Sequence, residues 1–243
     1  MKYDNMTKAV FLMLPNRFIA ICSIDGEEQT VHVKNTGRCK ELLKKGATVY
    51  LQESDNPNRK TKYSLISVEK DGILINIDSQ VPNAVVFQAI KDNQIKIDGL
   101  SELEILKREV TFGNSRFDIY AKDKNGKEAF VEVKGVTLLN GEGEEKVFEN
   151  LERMVALFPD APTERGSKHV SELIIAKEKG LVAQIVFLIQ LQGSLYFTPN
   201  TKTDNKFAEM LKTAQSKGVI IKAYETKITQ DEITLLREIE VVL

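Results

Sequence analysis

Short apolar runs rich in β-branched and aromatic residues fill the first third of the chain, and turn residues separate them. This pattern predicts β-strands at residues 9–14, 17–23, 29–33, 47–52, 62–68 and 72–77. One short helix is predicted at residues 38–45, because Gly46 follows as a helix stop. Strands of this number with one small helix favour an OB-like β-barrel, which we expect to span residues 1–80.

The pattern changes after residue 80, where longer helical periods alternate with strands. Apolar residues at Val85, Val86, Ala89 and Ile90 have helical spacing and predict a helix at 82–94. Further helices are predicted at 163–179 and 204–217, and strands at 104–112, 116–121, 128–134, 184–190, 219–224 and 233–242. The acidic stretch 140–152 is expected to be a loop running into a helix. This order predicts an α/β domain with a mixed sheet over residues 81–243.

Composition narrows the class of protein. The chain has 243 residues, with 34 Lys+Arg against 35 Asp+Glu, which excludes a protein that is basic all over. Two cysteines, Cys22 and Cys39, form no disulfide framework and indicate reduced thiols in a cytosol. The longest strongly apolar stretch, 181–191, is far shorter than the ~20 residues of a membrane helix. We therefore expect a soluble, cytoplasmic protein with no membrane partner.

The sharpest chemical pattern is Asp118 followed by Glu132-Val133-Lys134. Side chains alternate along a strand, so Glu132 and Lys134 share one face, and the neighbouring strand can place Asp118 beside Glu132. Two converging carboxylates are suitable ligands for Mg²⁺, and a nearby lysine can polarise water and stabilise a phosphate transition state. Glu109 on the preceding strand is a further candidate ligand, and it could equally be a surface residue. Taken alone, the pattern is more typical of cross-strand Glu/Lys pairs on a wet face than of a catalytic site.

Two other segments carry phosphate-binding chemistry. The segment 158–169 leads through two prolines into a helix start, with Arg165, Lys168 and His169 nearby. The segment 32–38 is a turn whose backbone amides, together with Arg38, could bind a phosphate. In both cases a capped helix or loop whose basic side chains face water is the simpler interpretation.

These segments together resemble the sugar fermentation stimulation protein A (SfsA) family. The matching stretches run in order through almost the whole chain: 17–20 (RFIA), 32–38 (HVKNTGR), 115–118 (SRFD), 131–138 (VEVKGVTL), 158–166 (FPDAPTERG) with Lys168 and His169, and 196–200 (YFTPN). The resemblance implies an N-terminal OB-like barrel and a C-terminal PD-(D/E)xK nuclease-like domain. The acidic stretch within 138–157 departs from the family pattern as a longer connection, which puts access of a substrate in question.

The resemblance also implies DNA binding and metal-dependent cleavage of nucleic acid. It places Asp118, Glu132 and Lys134 at the catalytic positions, with Asp118, Glu132 and Glu109 as ligands of Mg²⁺ or Mn²⁺. Residues expected to contact DNA, or alternatively RNA, are Arg17, His32, Asn35, Arg38, Arg116, Arg165, Lys168 and His169.

Two other functions stay open at this point. One is a non-catalytic DNA-binding regulator of sugar (maltose) metabolism genes, although no helix-turn-helix pattern is visible. The other is a carbohydrate- or protein-binding barrel, which is disfavoured because Phe11, Phe18, Tyr50 and Tyr63 are expected in the core. Oligomeric state is open, with a homodimer as one option.

Overall fold

Six strands form the N-terminal sheet in the computed structural model, which describes residues 1–35, 39, 41–139 and 154–243, and the first five of them close a β-barrel. Parallel pairing of the third strand with the fifth closes the barrel. Its interior is apolar, with Val31, Leu51 and Leu65 fully buried. The OB-like barrel of the prediction is confirmed. The barrel strands are β1 (Met6–Asn16), β2 (Ile19–Ile24), β3 (Glu27–Val33), β4 (Thr48–Glu53) and β5 (Tyr63–Lys70), and β6 (Ile73–Asn76) pairs with β5.

The helix predicted at 38–45 differs from the structure. Residues 41, 42, 45 and 46 form turns, and residues 36–38 and 40 lie outside the described residues. Leu42 and Leu43 are buried next to each other. Their amides both donate to the carbonyl of Cys39, which makes a single turn that packs two leucines inward.

The described residues of the C-terminal part form a mixed nine-stranded sheet with three helices, which confirms the predicted fold class. Its hydrogen-bonded strand order is β10-β11-β13-β15-β14-β12-β9-β8-β7. The elements are α1 (Val81–Lys91), β7 (Leu103–Phe112), β8 (Ser115–Asp123), β9 (Glu128–Val136), β10 (Leu138–Leu139), β11 (Met154–Phe158), α2 (Glu164–Glu178), β12 (Val182–Ile189), β13 (Ser194–Pro199), α3 (Asn205–Ser216), β14 (Ile220–Ile228) and β15 (Ile233–Val241).

The sheet is covered on both faces. Alternate residues of β12 join two different apolar clusters: Ile185 and Phe187 pack in the cluster of α2 and α3, and Val186 and Leu188 pack in the cluster of α1. β9 and β12 are neighbours in the middle of the sheet, and both are buried along most of their length. Residues on β9 are thus held on all sides by packed structure.

The barrel joins the second domain through the end of β12. Gln190 donates from Nε2 to Asn76 O at 3.1 Å, Asn76 Oδ1 at 3.0 Å and Asp78 O at 3.1 Å. The amide of Asn76 in turn donates to the carbonyl of Gln190 at 3.0 Å. The domain division after residue 80 stays a prediction; β6 ends at Asn76 and α1 begins at Val81.

The sequence did not predict β10, β11 and β13. β11 and β13 pair in parallel and extend the sheet beyond β15. The acidic stretch 140–152, predicted as loop and helix, lies outside the described residues.

Candidate active site

Asp118 and Glu132 meet where the ladder between β8 and β9 ends. The last pair of that ladder is Ile119 with Val131, so the next residues of the two strands are Asp118 and Glu132. Asp118 Oδ2 accepts a hydrogen bond from the backbone amide of Val133 at 2.8 Å. Its Oδ1 accepts another from Asn83 Nδ2 at 2.6 Å. The Asp118 carboxylate is thereby fixed between β9 and the first turn of α1.

β8 changes its alternation at Asp118. Phe117 packs in the cluster of α2, whereas Ile119 packs in the cluster of α1, although a regular strand would point both to one face. On the neighbouring strand, Glu109 has φ of +55°, and the ladder resumes on either side of it. This irregularity lies opposite Asp118, where β8 changes face, and the register of the β7–β8 ladder is the same on both sides of it.

Glu132 is buried on β9, and one of its two carboxylate oxygens contacts two other side chains. Its Oε1 contacts Lys134 Nζ at 2.7 Å and the ring Nδ1 of His169 on α2. The Glu132 side chain is only 2% exposed, and that of Lys134 is 15% exposed. Among the described residues Oε2 of Glu132 has no hydrogen-bond partner. A buried carboxylate oxygen without a partner is costly, and it indicates a ligand position.

The pKa values of the two carboxyl groups are shifted in opposite directions. Burial, followed by the charge of Glu132, raises the pKa of Asp118 to about 6, despite the opposing effects of the Val133 amide, Lys134 and Asn83. Burial alone would raise the pKa of Glu132 as well. The hydrogen bond from His169, with the charge of Lys134, outweighs that burial and leaves the pKa of Glu132 below its ordinary value. Glu132 is therefore ionised at neutral pH beside a carboxyl group that is easily protonated.

Glu109 lies apart from this pair. Its carboxylate contacts Arg116 Nη2 at 2.6 Å, and both side chains are largely exposed. No group of three or more His, Cys, Asp or Glu side chains that could hold a metal ion occurs within the described ranges. The structure thus brings together Asp118, Glu132 and Lys134 and leaves Glu109, predicted as a third ligand, in a surface ion pair with Arg116, which was predicted to contact nucleic acid.

The start of α2 differs from the prediction in one residue. Arg165 and Lys168 are exposed, as expected for backbone contacts, and Lys168 Nζ donates to Asn114 O at 3.1 Å. His169, predicted to contact a phosphate backbone, is instead buried and faces Glu132. The reason is the apolar stripe of α2, since Val170 and Leu173 turn this side of the helix toward the sheet.

The barrel residues predicted to bind nucleic acid occupy three different settings. Arg17 is exposed and its guanidinium lies 4.6 Å from the ring centre of Phe18. His32 is half-buried; burial, together with the charges of Arg59 and Lys34, lowers its pKa. Asn35 is buried and donates to Ile77 O at 2.9 Å. Arg38 lies outside the described residues.

One barrel aromatic does not follow the core prediction. Phe11, Tyr50 and Tyr63 are buried, but Phe18 is 43% exposed. Phe18 and Arg17 are the two residues between the paired positions Asn16 and Ile19, so they form the tip of the β1–β2 hairpin. A hairpin tip projects away from the barrel interior.

Asn83 is a site residue that the sequence reasoning missed. It lies in the first turn of α1, directly after Pro82, and the proline marks that helix start. The only signal was therefore a polar residue placed at the beginning of a helix that packs on the sheet. Its contact with Asp118 depends on how α1 docks.

A pocket of about 150 Å³ opens between the barrel and the second domain, next to the site. Asn35 and Ser79 line it from the barrel side, and Gly135, the residue after Lys134, lines it from β9. Phe158 and Asp160 form part of another wall. Three of the segments singled out from the sequence, 32–38, 131–138 and 158–166, therefore meet at one pocket.

Sequence comparison identifies the family. The profile described as "SfsA N-terminal OB domain" matches residues 13–77, and the profile "Sugar fermentation stimulation protein RE domain" matches residues 80–232. The chain belongs to the SfsA family.

Relatives and a solved structure agree with this assignment. A sugar fermentation stimulation protein homolog of Clostridium tetani is 50% identical over 239 residues, covering 98% of each chain. A homolog of Clostridium perfringens is 50% identical over 245 residues and covers 100% of both. The structure of Pyrococcus furiosus SfsA in complex with Ca²⁺ has a TM-score of 0.84 and 31% identity, over 100% of this chain and 98% of that one.

The SfsA chain shows no membrane-spanning helix in its described residues: none of those helices is long and apolar enough to cross a bilayer.

Proposed function

We propose that this SfsA protein is a divalent-metal-dependent nuclease that hydrolyses phosphodiester bonds of DNA or RNA. The observation that carries the proposal is the buried Glu132 carboxylate, whose Oε2 lacks a partner among the described residues while Asp118 and Lys134 lie beside it. Such a constellation of two carboxylates and a lysine on adjacent strands is what metal-assisted phosphodiester hydrolysis requires.

Asp118 and Glu132 suit a hard divalent cation. Mg²⁺ is commonly held by one or two carboxylates and keeps several waters, so a third protein ligand is not needed. The related Pyrococcus furiosus SfsA has been solved in complex with Ca²⁺, a cation that also takes oxygen ligands. When bound between these residues, Mg²⁺ or Mn²⁺ would supply Lewis-acid polarisation of a phosphoryl oxygen.

The chain's own groups would do the remaining work. Lys134 orients the attacking water and stabilises the negative charge that develops on the phosphoryl oxygens. Water adds to phosphorus, the bond to the leaving sugar oxygen breaks, and that oxygen takes a proton. His169 acts through Glu132, because its ring contacts Oε1. Asn83 and the Val133 amide hold Asp118 in place.

Substrate binding is assigned to basic and polar residues around this centre. We assign phosphate contacts to Arg165 and Lys168 at the start of α2, to Arg116, and to Arg17, His32, Asn35 and Arg38 of the barrel. Positively charged side chains that neutralise phosphates give most of the sequence-independent affinity for nucleic acid.

The test is a cleavage assay on single- and double-stranded DNA and RNA with Mg²⁺ or Mn²⁺. We expect Asp118→Asn, Glu132→Gln and Lys134→Ala to lower the rate by about 100-fold or more. Glu128→Gln and Lys127→Ala, at the other end of the β8–β9 hairpin, are the matched controls and should keep the wild-type rate. Equal rates in all variants would remove the three residues from the mechanism. Binding that persists in EDTA, with no cleavage under either ion, would favour the DNA-binding regulator.

A further inference from the structure

Phe18 is an aromatic side chain at a place where the fold has no need for one. It occupies the tip of a two-residue hairpin connection, where Asn and Gly are the usual residues, and it is 43% exposed. The backbone amide of Phe18 donates a hydrogen bond to Asn16 Oδ1 at 2.9 Å, and this bond fixes the tip. The guanidinium of Arg17 lies over the ring. An exposed ring beside an arginine is the usual stacking platform for unpaired bases.

The hairpin tip is tied directly to the end of β3. The Val33 amide donates to Phe18 O at 2.8 Å. The following residue, Lys34, and the neighbouring Arg59 carry the positive charges that lower the pKa of His32. Lys34 Nζ lies 3.2 Å from the buried carboxylate of Asp78. Arg17 beside the ring and Arg59 near His32 therefore carry the positive charge that a phosphate backbone would require.

The same strand end leads to the pocket beside the site. Asn35, two residues after Val33, lines the pocket, and so does Gly135, which follows Lys134. The hairpin tip and β9 are thus each linked to the pocket by a short stretch of chain, through Val33 to Asn35 on one side and through Lys134 to Gly135 on the other.

The size of the pocket selects the form of nucleic acid. A cavity of about 150 Å³ holds a single six-membered ring such as benzene. It can receive one unpaired base, with Phe158 as an aromatic wall and Asp160 as an acceptor for base amino groups. A duplex offers an unpaired base to this pocket or to Phe18 only if a nucleotide is flipped out of the stack, which costs about a few kcal/mol, whereas a single strand offers its bases without that cost.

We propose that the substrate of this SfsA protein is single-stranded nucleic acid, and that Phe18 stacks on one of its bases while the strand runs past Lys34 toward the pocket. This inference rests on the proposed nuclease function and adds the form of the substrate and a binding residue. Arg17 and the charges near His32 favour a polyanion as the occupant over a second copy of the chain.

The test uses Phe18→Trp in EDTA, because the chain contains no tryptophan and the new residue is then the sole indole emitter. We expect short oligothymidylate to quench its emission, and the same strand annealed to its complement to leave the emission unchanged. Phe18→Ala should weaken single-strand binding by about 5- to 150-fold. Leu195→Trp and Leu195→Ala, at an exposed apolar position on β13, are matched controls and should show neither effect.

Several results would overturn the inference. These are equal quenching by duplex, unchanged single-strand affinity of Phe18→Ala, or emission that changes only with protein concentration, which would indicate a second copy of the chain at this tip. Emission that responds to anionic phospholipid vesicles and not to oligothymidylate would do the same. A wild type that cleaves duplexes without binding single strands overturns this inference alone, whereas one that binds single strands and cleaves nothing overturns only the nuclease function.

Discussion

His169 and Glu132, 37 residues apart in the chain, share a buried hydrogen bond between the ring Nδ1 and the carboxylate Oε1. This contact joins α2 to the centre of the sheet. It also keeps a carboxylate ionised in a place where burial alone would favour its neutral form.

Removing the ring should therefore cost stability and metal affinity together. We expect His169→Ala to lower the free energy of unfolding by about 1–3 kcal/mol, because a buried carboxylate oxygen loses a partner. It should also weaken Mn²⁺ binding measured by calorimetry. Arg165→Ala, one turn earlier and exposed, is the control and should change stability by less than about 0.5 kcal/mol. Identical unfolding curves for His169→Ala and wild type would contradict the role of this contact.

Asp118 should make stability depend on pH. Its pKa is about 6 in the folded chain against 3.8 ordinarily, so between these values the unfolded chain ionises it and the folded chain does not. Stability falls as pH rises through this window. Asp118→Asn should match wild type at the acidic end and exceed it by up to about 3 kcal/mol above pH 6. Urea unfolding across this range measures the difference, and a gap that is the same at every pH would contradict the assignment.

Asp123, at the other end of β8, provides a contrast of opposite sign. The backbone amide of Ser101, followed by those of Lys127 and Asn125, holds the pKa of its carboxylate below the ordinary value. Its ionised form is therefore stabilised on folding, and Asp123→Asn should lower stability at neutral pH.

Gly135 should tolerate no side chain while Gln190 is present. A Cβ at this position would lie 2.3 Å from Gln190 Oε1 and 2.8 Å from Pro82 Cγ. We expect Gly135→Ala to cost about 1–3 kcal/mol through overpacking. In a double-mutant cycle with Gln190→Ala, Gly135→Ala should cost less stability, because that variant lacks the Gln190 side-chain oxygen closest to the added Cβ. Strictly additive costs would show that the clash is with other atoms.

Asp204 should matter more than an ordinary helix cap. Its Oδ1 accepts from the Phe207 amide at 2.9 Å and caps α3, while Oδ2 accepts from the Thr163 amide, also at 2.9 Å, at the start of α2. Asp204→Ala should therefore cost about 2–3 kcal/mol, above the typical cost of ~1 kcal/mol for a lost cap. Asp204→Asn keeps one acceptor oxygen and should fall between. Equal unfolding midpoints for the two variants would contradict the double role.

The sequence predicted those parts of the fold that depend on local pattern. Alternation of apolar residues gave the barrel strands and β7 to β9, and proline and glycine marked the bounds of α2. β11 was missed because a run of five residues, MVALF, has no alternation that distinguishes a buried parallel strand from a helix fragment. β13, which pairs with it, depends on contacts distant in the chain.

The same division applies to the site. Asp118, Glu132 and Lys134 could be grouped from strand geometry, because neighbouring strands fix which residues lie opposite each other. His169 and Asn83 could not be placed, since their contacts depend on how α2 and α1 dock on the sheet. Strand geometry could not decide between a ligand and a surface residue for Glu109, because its positive φ, which no local pattern announces, accompanies an exposed pairing with Arg116.

The hydrogen bonds of Gln190 join the barrel to the second domain and also fix how far apart the two lie. The side-chain amide of Gln190 donates to the main-chain and side-chain oxygens of Asn76 and to the carbonyl of Asp78. The backbone amide of Asn76 donates to the carbonyl of Gln190. Because the Gln190 side chain donates three of these four hydrogen bonds, one residue at the end of β12 holds the barrel in place beside the second domain. Under the function proposed above, a strand held at the hairpin tip would be cut a constant number of nucleotides away, and the products would share one length.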